Sequence, residues 1–173
     1  MNLENITSDL SKDEVFLKIN DFLENKGFQI DQVDKERPWG GFFVIDENQI
    51  SEFAEMFFME IELSEKQLQQ KLSPKFLLVA PGSRLSWQYH FRRAELWKLI
   101  QGEAGIVKSE TDELGELQPM EFGETVSLMQ GERHRLVGMD NWGIVAEIWM
   151  HVNPELPSDE EDIVRVEDDY ARK

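Results

Sequence analysis

Short strand-like runs separated by turn residues fill the chain from residue 76 to residue 152, and this pattern limits the possible folds most strongly. The runs are FLLVA, RLSWQYH, ELWKLI, AGIVKS, TVSLMQ, HRLVG and GIVAEIWMHV. The turn signals between them are Pro81-Gly82, Gly102, Gly115, Gly123, Gly131, Gly138 and Asn141. Regular short strands with glycine turns are typical of an antiparallel sandwich or barrel. The sequence therefore predicts a mainly β protein.

The first part of the chain has a different pattern. Residues 12–27, KDEVFLKINDFLENKG, place apolar side chains at helical spacing, and Gly27 is suited to end a helix. The segment 51–63, SEFAEMFFMEIEL, fits a helix at its start and either a helix or a strand at its end. We predict a helical N-terminal extension over 1–36 and a β domain over 37–173.

The acidic tail, residues 155–173, carries apolar side chains among its charges. They are Ile163, Val164, Val166 and Tyr170. Charge runs are usually solvated, but interleaved apolar residues favour packing against a surface. We expect this tail to dock on the barrel.

Composition excludes several classes of protein. The 173 residues are 40% hydrophobic, which suits one domain with a substantial core. No run of about 20 apolar residues predicts a membrane span, and the start lacks the features of a signal peptide. The absence of cysteine excludes disulfides and thiolate ligands and fits a reducing compartment, so we expect a cytoplasmic location.

The net charge of −17 argues against nucleic acid and acidic membranes as partners, because it repels both. A small anionic substrate would need locally concentrated positive charge. Arginine is the residue type that supplies it, and five of the eight arginines fall between residues 84 and 135.

Polar side chains interrupt the strand-like runs around residue 90. If His90 points inward, alternation places Gln88, Ser86 and Arg84 on the same face, while Glu95 follows on the next strand and His134 on a later one. Burying unpaired polar groups costs several kcal/mol each, and a divalent cation would satisfy these. Imidazole, carboxylate and amide ligands suit zinc, iron, manganese, nickel or cobalt. The alternative is that the histidines are hydrogen-bonded core residues; His151 is expected to be structural.

The spacing of these residues resembles the two cupin motifs. The first motif is matched by Gly82, Gln88, His90, Glu95 and Gly102, with Gln88 in place of the first histidine. The second is matched by Gly123, Met129, Gly131 and His134, with Met129 where proline is usual. This resemblance implies a cupin double-stranded β-helix, a jelly-roll barrel.

Three segments are also similar to the cupin domain of type II phosphomannose isomerases. They are RPWGGF at 37–42, PGSRLSWQYHFRRAELW at 81–97 and EEDIVRVEDDYAR at 160–172. Leu96 departs from the family pattern, which has histidine there, but alternation turns it away from Glu95. No glycine-rich nucleotide loop is found, so a nucleotidyltransferase half is not expected within these residues.

The resemblance implies a metal-dependent isomerase that interconverts mannose 6-phosphate and fructose 6-phosphate through an enediol. It implies one divalent metal ion, zinc first, held by Gln88, His90, Glu95 and His134. It also places Arg172 at the site, as a catalytic and substrate-binding residue.

The remaining site residues are hypotheses from strand alternation and side-chain chemistry. Arg84 is predicted to point inward and bind the phosphate, because guanidinium groups recognise phosphate in a bidentate way. Ser86 is predicted to hydrogen-bond a sugar hydroxyl. Glu147, which alternates with Trp149 on one strand, is the candidate catalytic base.

Two other functions stay open at the level of sequence. His90, Glu95 and His134 alone form a two-histidine, one-carboxylate set, which also serves iron oxygenases. A non-catalytic metal-binding or sugar-binding cupin is the third reading. A homodimer is compatible with each of them.

Overall fold

The computed structural model describes Leu3 and residues 6–172, and two long paired strands form the frame of the fold. The elements follow in chain order: α1 (Lys12–Asn25), β1 (Ile30–Asp34), β2 (Gly40–Ile45), a 3-10 turn (Glu47–Gln49), α2 (Ile50–Phe57), α3 (Glu65–Leu68), β3 (Lys75–Val79), β4 (Trp87–Tyr89), β5 (Arg93–Ser109), β6 (Gln118–Pro119), β7 (Thr125–Leu128), β8 (Arg133–His151) and β9 (Val164–Glu167). β5 and β8 are antiparallel and pair from Arg93 opposite His151 to Ser109 opposite Arg133.

Two register shifts, between Leu99 and Gln101 and between Gly102 and Ala104, divide this ribbon into halves. One half extends into a sheet in the order β1-β2-β3-β8-β5-β7. The other half continues from β8 to β4 and β9, and from β5 to β6. Two antiparallel layers that share two bent strands form a jelly-roll barrel, in agreement with the mainly β prediction.

The bend of the ribbon depends on Gly102. Its φ is +75°, and a Cβ atom at this position would lie 1.7 Å from the carbonyl oxygen of Trp142. Gly143, which pairs with Gly102, is also crowded: a Cβ there would lie 2.5 Å from the carbonyl oxygen of Glu103. Glycine is therefore required where the two strands cross at the corner.

Alternation along β5 separates two apolar cores. Trp97 and Leu99 point into the barrel and pack with Leu85 and Val145. Leu96 points to the opposite face, as its position relative to Glu95 predicts, and joins a second core under the helices. This outer core contains Phe16, Phe22, Phe53, Phe76 and Ile148.

The N-terminal segment covers the outer face of the sheet. The predicted helix over 12–27 is confirmed as α1, which begins with a capping box between Ser11 and Glu14. α2 (Ile50–Phe57) covers the start of the ambiguous segment 51–63. Residues 30–34, included in the predicted helical extension, instead form β1 and pair with β2.

The tail contributes the strand β9, which pairs with β4. Residues 1, 2, 4, 5 and 173 lie outside the description, and the domain boundaries at 1–36 and 37–173 stay predictions. Among the helices of Leu3 and 6–172, none has the length and apolar character needed to cross a membrane.

Candidate metal centre and cavity

Three buried side chains meet at one end of the barrel. His90 follows β4, Glu95 lies on β5 and His134 lies on β8, and each is at most 2% exposed. One ligand atom from each can be chosen so that all three lie within 4.8 Å of one another. Glu95 also lines the cavity described below. The fold thus brings together three of the four predicted metal ligands.

The hydrogen bonds of the two imidazoles orient them for metal binding. His90 Nδ1 lies 2.6 Å from the carbonyl oxygen of Asp162, and His134 Nδ1 lies 2.9 Å from that of Glu132. A carbonyl oxygen can only accept, so each Nδ1 carries the donated proton and each neutral imidazole keeps its lone pair on Nε2. A metal-ligating histidine usually donates its other ring N–H to a backbone carbonyl or a carboxylate, which fixes the orientation of the ring.

These groups face each other at their acceptor atoms. Arg93 donates on the His90 side, where its NH2 lies 3.4 Å from His90 Nε2, whereas the His134 side has no donor among the described residues. His90 Nε2 lies 3.1 Å from Glu95 Oε1, and His134 Nε2 lies 3.5 Å from Glu95 Oε2. Glu95 Oε2 and His134 Nε2 are buried and have no hydrogen-bond partner among the described residues. Facing acceptors of this kind are costly unless a cation lies between them. The donor set therefore fits a divalent metal ion.

The charge state of Glu95 also suits this role. Burial raises the pKa of its carboxyl group, but the neighbouring basic groups, first His90 and then the guanidinium of Arg93, lower it more. The net pKa is well below the ordinary value. Arg93 Nε donates to Glu95 Oε1 over 2.8 Å, which fixes the carboxylate in place.

Gln88, the fourth predicted ligand, pairs in register with His134 and lines the cavity. Its Oε1 accepts a hydrogen bond from Ser86 Oγ at 2.5 Å. Ser86 lines the same cavity, as the alternation predicts. The ligand role of Gln88 and the sugar-binding role of Ser86 stay predictions.

A cavity of about 440 Å³ opens beside this centre, which is within the range of small-molecule sites. Glu95 and Trp97 belong to its wall, which holds six basic and five acidic side chains, although the whole chain has a net charge of −17. The basic residues in the wall are Arg37, Lys71, Lys75, Arg93, Arg165 and Arg172.

Glu147 lies in the wall with its carboxyl group buried. Trp97 Nε1 donates to its Oε2 over 2.8 Å, and Lys75 Nζ lies 3.9 Å from its Oε1. Burial and the negative charge of Glu95 raise the pKa of Glu147 to about 7, against the opposing charges of Lys75 and Arg93. Such a group can gain and lose a proton near neutral pH.

Lys75 is a cavity residue that the sequence analysis missed. It is the first residue of β3, where it pairs with Glu147, and its side chain is 9% exposed. Its Nζ also contacts Glu160 at 3.2 Å and lies over the ring of Trp149. Lys75 follows the polar run SEKQLQQKLSP at 64–74, and no pattern in the sequence distinguishes this lysine from that run.

Three arginines gather on another part of the wall. Burial lowers the pKa of Arg165, and the neighbouring charges of Arg172 and Arg37 lower it further, while Asp168 opposes them. Arg165 pairs in register with Gln88. Arg172 is held by Asp168 and Arg37 by Asp34. All three lie in the segments that carry the family resemblance, but a place at the site was predicted for Arg172 alone.

The expectation that Arg84 points inward is wrong. Its guanidinium pairs with Asp169 at 2.6 Å and with Glu167 at 3.3 Å, and its side chain is 41% exposed. Leu85, the next residue, points into the barrel core instead. His151 contacts the backbone of Lys71 and Ser158, as expected of a structural residue.

Comparison with known proteins places these features in a family. The family described as "Mannose-6-phosphate isomerase C-terminal" matches residues 26–168. The chain is 30% identical over 150 residues to a mannose-1-phosphate guanylyltransferase of Salmonella montevideo, covering 87% of this chain and 26% of that protein. It is 29% identical over 136 residues to the xanthan biosynthesis protein XanB of Xanthomonas campestris pv. campestris, covering 79% and 23%. The chain thus spans about a quarter of the length of these curated relatives.

Solved structures share the fold at low identity. The capsular polysaccharide assembling protein CapF of Staphylococcus aureus superposes with a TM-score of 0.50 at 14% identity, over 81% of this chain and 34% of that chain. Vicilin of tomato gives a TM-score of 0.51 at 15% identity, over 76% and 32%. The predicted fold class, a mainly β cupin jelly roll with a helical N-terminal segment, is confirmed. The chain belongs to the family of mannose-6-phosphate isomerase C-terminal domains.

Proposed function

We propose that this chain is a metal-dependent sugar-phosphate isomerase that interconverts mannose 6-phosphate and fructose 6-phosphate. The observation that carries the proposal is the buried group of His90, Glu95 and His134 beside a cavity whose wall contains Arg37, Arg165 and Arg172. Family membership supports the same choice, and the cavity volume suits a hexose phosphate.

His90, Glu95 and His134 would hold one divalent ion, with zinc as the first expectation and iron, manganese, nickel or cobalt as alternatives. Gln88 is the proposed fourth ligand. When bound, such an ion supplies an electrophile for negative charge that develops on the substrate oxygens.

Glu147 is the proposed acid–base residue. The reaction moves a proton from C2 of the aldose to C1, while a hydroxyl proton moves from O2 to O1, so no net proton is consumed. The Glu147 carboxylate takes the C2 proton and returns it to C1. Its pKa of about 7 makes both states accessible, and the Trp97 N–H holds the carboxyl group in position.

Arg37, Arg165 and Arg172 are the proposed phosphate-binding residues, in place of Arg84. Arginine recognises phosphate through paired N–H donors, and gathering three guanidiniums in one wall concentrates positive charge on an otherwise acidic protein. Asp34 and Asp168 hold two of them in place. Arg172 thus keeps its predicted place at the site, and Ser86 is retained as a donor or acceptor for a sugar hydroxyl.

The direct test is isomerisation of mannose 6-phosphate by metal-loaded protein, followed through a coupled assay for fructose 6-phosphate. We expect turnover that is lost after chelation and in Glu95→Ala. Glu121→Ala, which removes an exposed carboxylate outside the cavity wall, is the matched control and should retain activity. Metal-replete protein without turnover would remove this substrate from consideration.

An iron-dependent oxygenase is the second candidate. The buried group is by itself a two-histidine, one-carboxylate set, and the Oε1 of Gln88 is already engaged by Ser86. This function requires that iron-loaded protein consume dioxygen in the presence of a small organic substrate. Dioxygen uptake that stays at the level of Glu95→Ala would count against it.

The proposed partner is the sugar phosphate alone. A homodimer and a cytoplasmic location stay predictions, and light scattering on the purified protein and fractionation of cells would check them.

A further inference from the structure

Asp162, in the tail, is a buried carboxylate that holds the main chain immediately after His90. Its Oδ1 accepts the N–H of Phe91 at 2.9 Å, and its Oδ2 accepts the N–H of Arg92 at 2.9 Å. Ser158 Oγ also donates to Oδ2 over 2.6 Å. Asp162 is 5% exposed, so these bonds are largely shielded from water.

The main chain of the same residue contacts the ring of His90. The carbonyl oxygen of Asp162 accepts from His90 Nδ1 at 2.6 Å. Asp162 therefore binds both sides of the histidine: its carboxylate holds the backbone that follows, and its carbonyl sets the rotation of the ring. Together the two contacts aim Nε2 at Glu95.

The strand pairing of the sheet does little to orient the His90 ring. His90 lies between the end of β4 at Tyr89 and the start of β5 at Arg93, so residues 90–92 are outside the strand ladders. The carbonyl oxygen of His90 accepts the N–H of Gly131, which fixes the backbone but not the ring. A ligand in a turn needs an added constraint to reach a defined orientation.

The tail segment itself is anchored from the opposite side. Ser158 N–H donates to His151 Nδ1, and Arg93 NH1 donates to Ser158 Oγ. Asp159 Oδ1 accepts the N–H of Asp162, which closes the turn that presents Asp162. Hydrogen bonds thus hold the segment 157–162 in place, and this segment connects the end of β8 to the turn that carries His90.

We propose that Asp162 is a positioning residue for the metal centre: it orients His90, and the centre attains its full affinity only when the tail segment 157–162 is in place. The inference rests on the metal centre of the proposed function but is independent of the isomerase reaction. Asp162 does not touch the metal or the substrate.

The test measures metal binding rather than turnover. Apparent Zn²⁺ affinity is determined by competition with a chromophoric chelator, and the geometry of the site is followed by the visible absorption spectrum of the Co²⁺-loaded protein. In Asp162→Asn, one backbone N–H would face an amide N–H₂ donor instead of a carboxylate oxygen. We expect Zn²⁺ affinity to fall by about 10- to 100-fold and the Co²⁺ spectrum to change.

Asp169→Asn is the matched control. It removes another tail carboxylate, paired with Arg84 at the surface, and should leave both the affinity and the spectrum unchanged. Circular dichroism establishes that each variant is folded. If Asp162→Asn does not fold, Ser158→Ala, which removes one donor to the carboxylate and one acceptor for Arg93, is expected to weaken Zn²⁺ binding several-fold.

Wild-type affinity and an unchanged Co²⁺ spectrum in folded Asp162→Asn, or in Ser158→Ala where that variant substitutes for it, would overturn the inference. Absence of metal binding by the wild-type protein would overturn both the inference and the metal centre. Metal binding without isomerisation, together with the loss in Asp162→Asn, would support the inference and reject the proposed substrate.

Discussion

Glu147 shows how the barrel controls the chemistry of a single residue. Its carboxyl group is buried beside Glu95, and its pKa is raised to about 7 from 4.5. Folding therefore favours the protonated form, whereas the unfolded chain ionises near its ordinary pKa. The stabilising contribution is fully present below about pH 4.5 and is lost as the pH rises through 7.

The stability of the metal-free protein should reflect this shift. Between pH 5 and pH 8 we expect the wild-type free energy of unfolding to fall relative to that of Glu147→Gln by roughly 3 kcal/mol, at about 1.4 kcal/mol per pKa unit. Glutamine keeps an acceptor for Trp97 but does not titrate. Urea unfolding of both proteins at each pH, with chelator present, measures the difference. Parallel pH profiles would show that Glu147 ionises normally.

The arginines of the cavity wall lead to a second prediction about single residues. Arg165→Gln should raise KM for mannose 6-phosphate by tenfold or more while changing kcat less, because it removes a proposed phosphate contact far from the bonds that change. Arg84→Gln is the comparison, since its guanidinium lies outside the cavity and pairs with Asp169. Steady-state kinetics of the two variants show which of the two arginines contributes more to substrate binding. A larger KM effect in Arg84→Gln would restore the original prediction.

At the scale of the element, the corner between β5 and β8 is the most restrictive feature. Gly102→Ala would place a Cβ 1.7 Å from the Trp142 carbonyl oxygen at a φ of +75°. We expect it to destabilise the fold by about 3 kcal/mol or more, or to prevent folding. Thermal or urea unfolding provides the measurement.

Gly123→Ala separates the cost of the positive φ from the cost of the steric contact. Gly123 has a similar φ of +77°, but a Cβ there would have no heavy atom within 4 Å. It should show only the cost of the backbone conformation, about 1 kcal/mol. Equal losses in the two variants would mean that the close approach at the corner relaxes without cost.

Strand alternation and motif spacing predicted much of this architecture, and the failures have physical reasons. Alternation holds only in regular strand, and it fails before β4: Leu85 and Ser86 both line the cavity, so Arg84 points outward. β1 was missed because its sequence, IDQVD, is mostly polar and its residues are exposed or half-buried, as suits an edge strand.

The residues of the candidate site also fall into two groups, those that the sequence predicted and those that it missed. His90, Glu95 and His134 were found because motif spacing reports residues that neighbouring strands bring together. Lys75 and Arg165 were missed because a lone cation in the sequence does not reveal which side chains it faces after folding. Their partners, Glu147 and Gln88, lie on strands distant in the chain.

At the scale of the whole molecule, the candidate metal centre joins β5 and β8 to the end of β4. A bound ion that the unfolded chain does not hold stabilises the native state by RT ln(1 + [metal]/Kd), about 2.7 kcal/mol at one hundred times Kd. We expect Zn²⁺ to raise Tm and chelation to reverse the rise. Glu95→Ala, which lacks the bridging carboxylate, should show neither shift in differential scanning fluorimetry. A Tm that is insensitive to metal would contradict the proposed centre.

The support of His90 by Asp162 also has a consequence for biosynthesis. A ribosome makes the chain from its N-terminus, so His90, Glu95 and His134 are all translated before the residue that orients the first of them. A nascent chain would hold its metal loosely until the tail emerged from the exit tunnel and docked. Tight binding of the ion and docking of the segment 157–162 would then coincide.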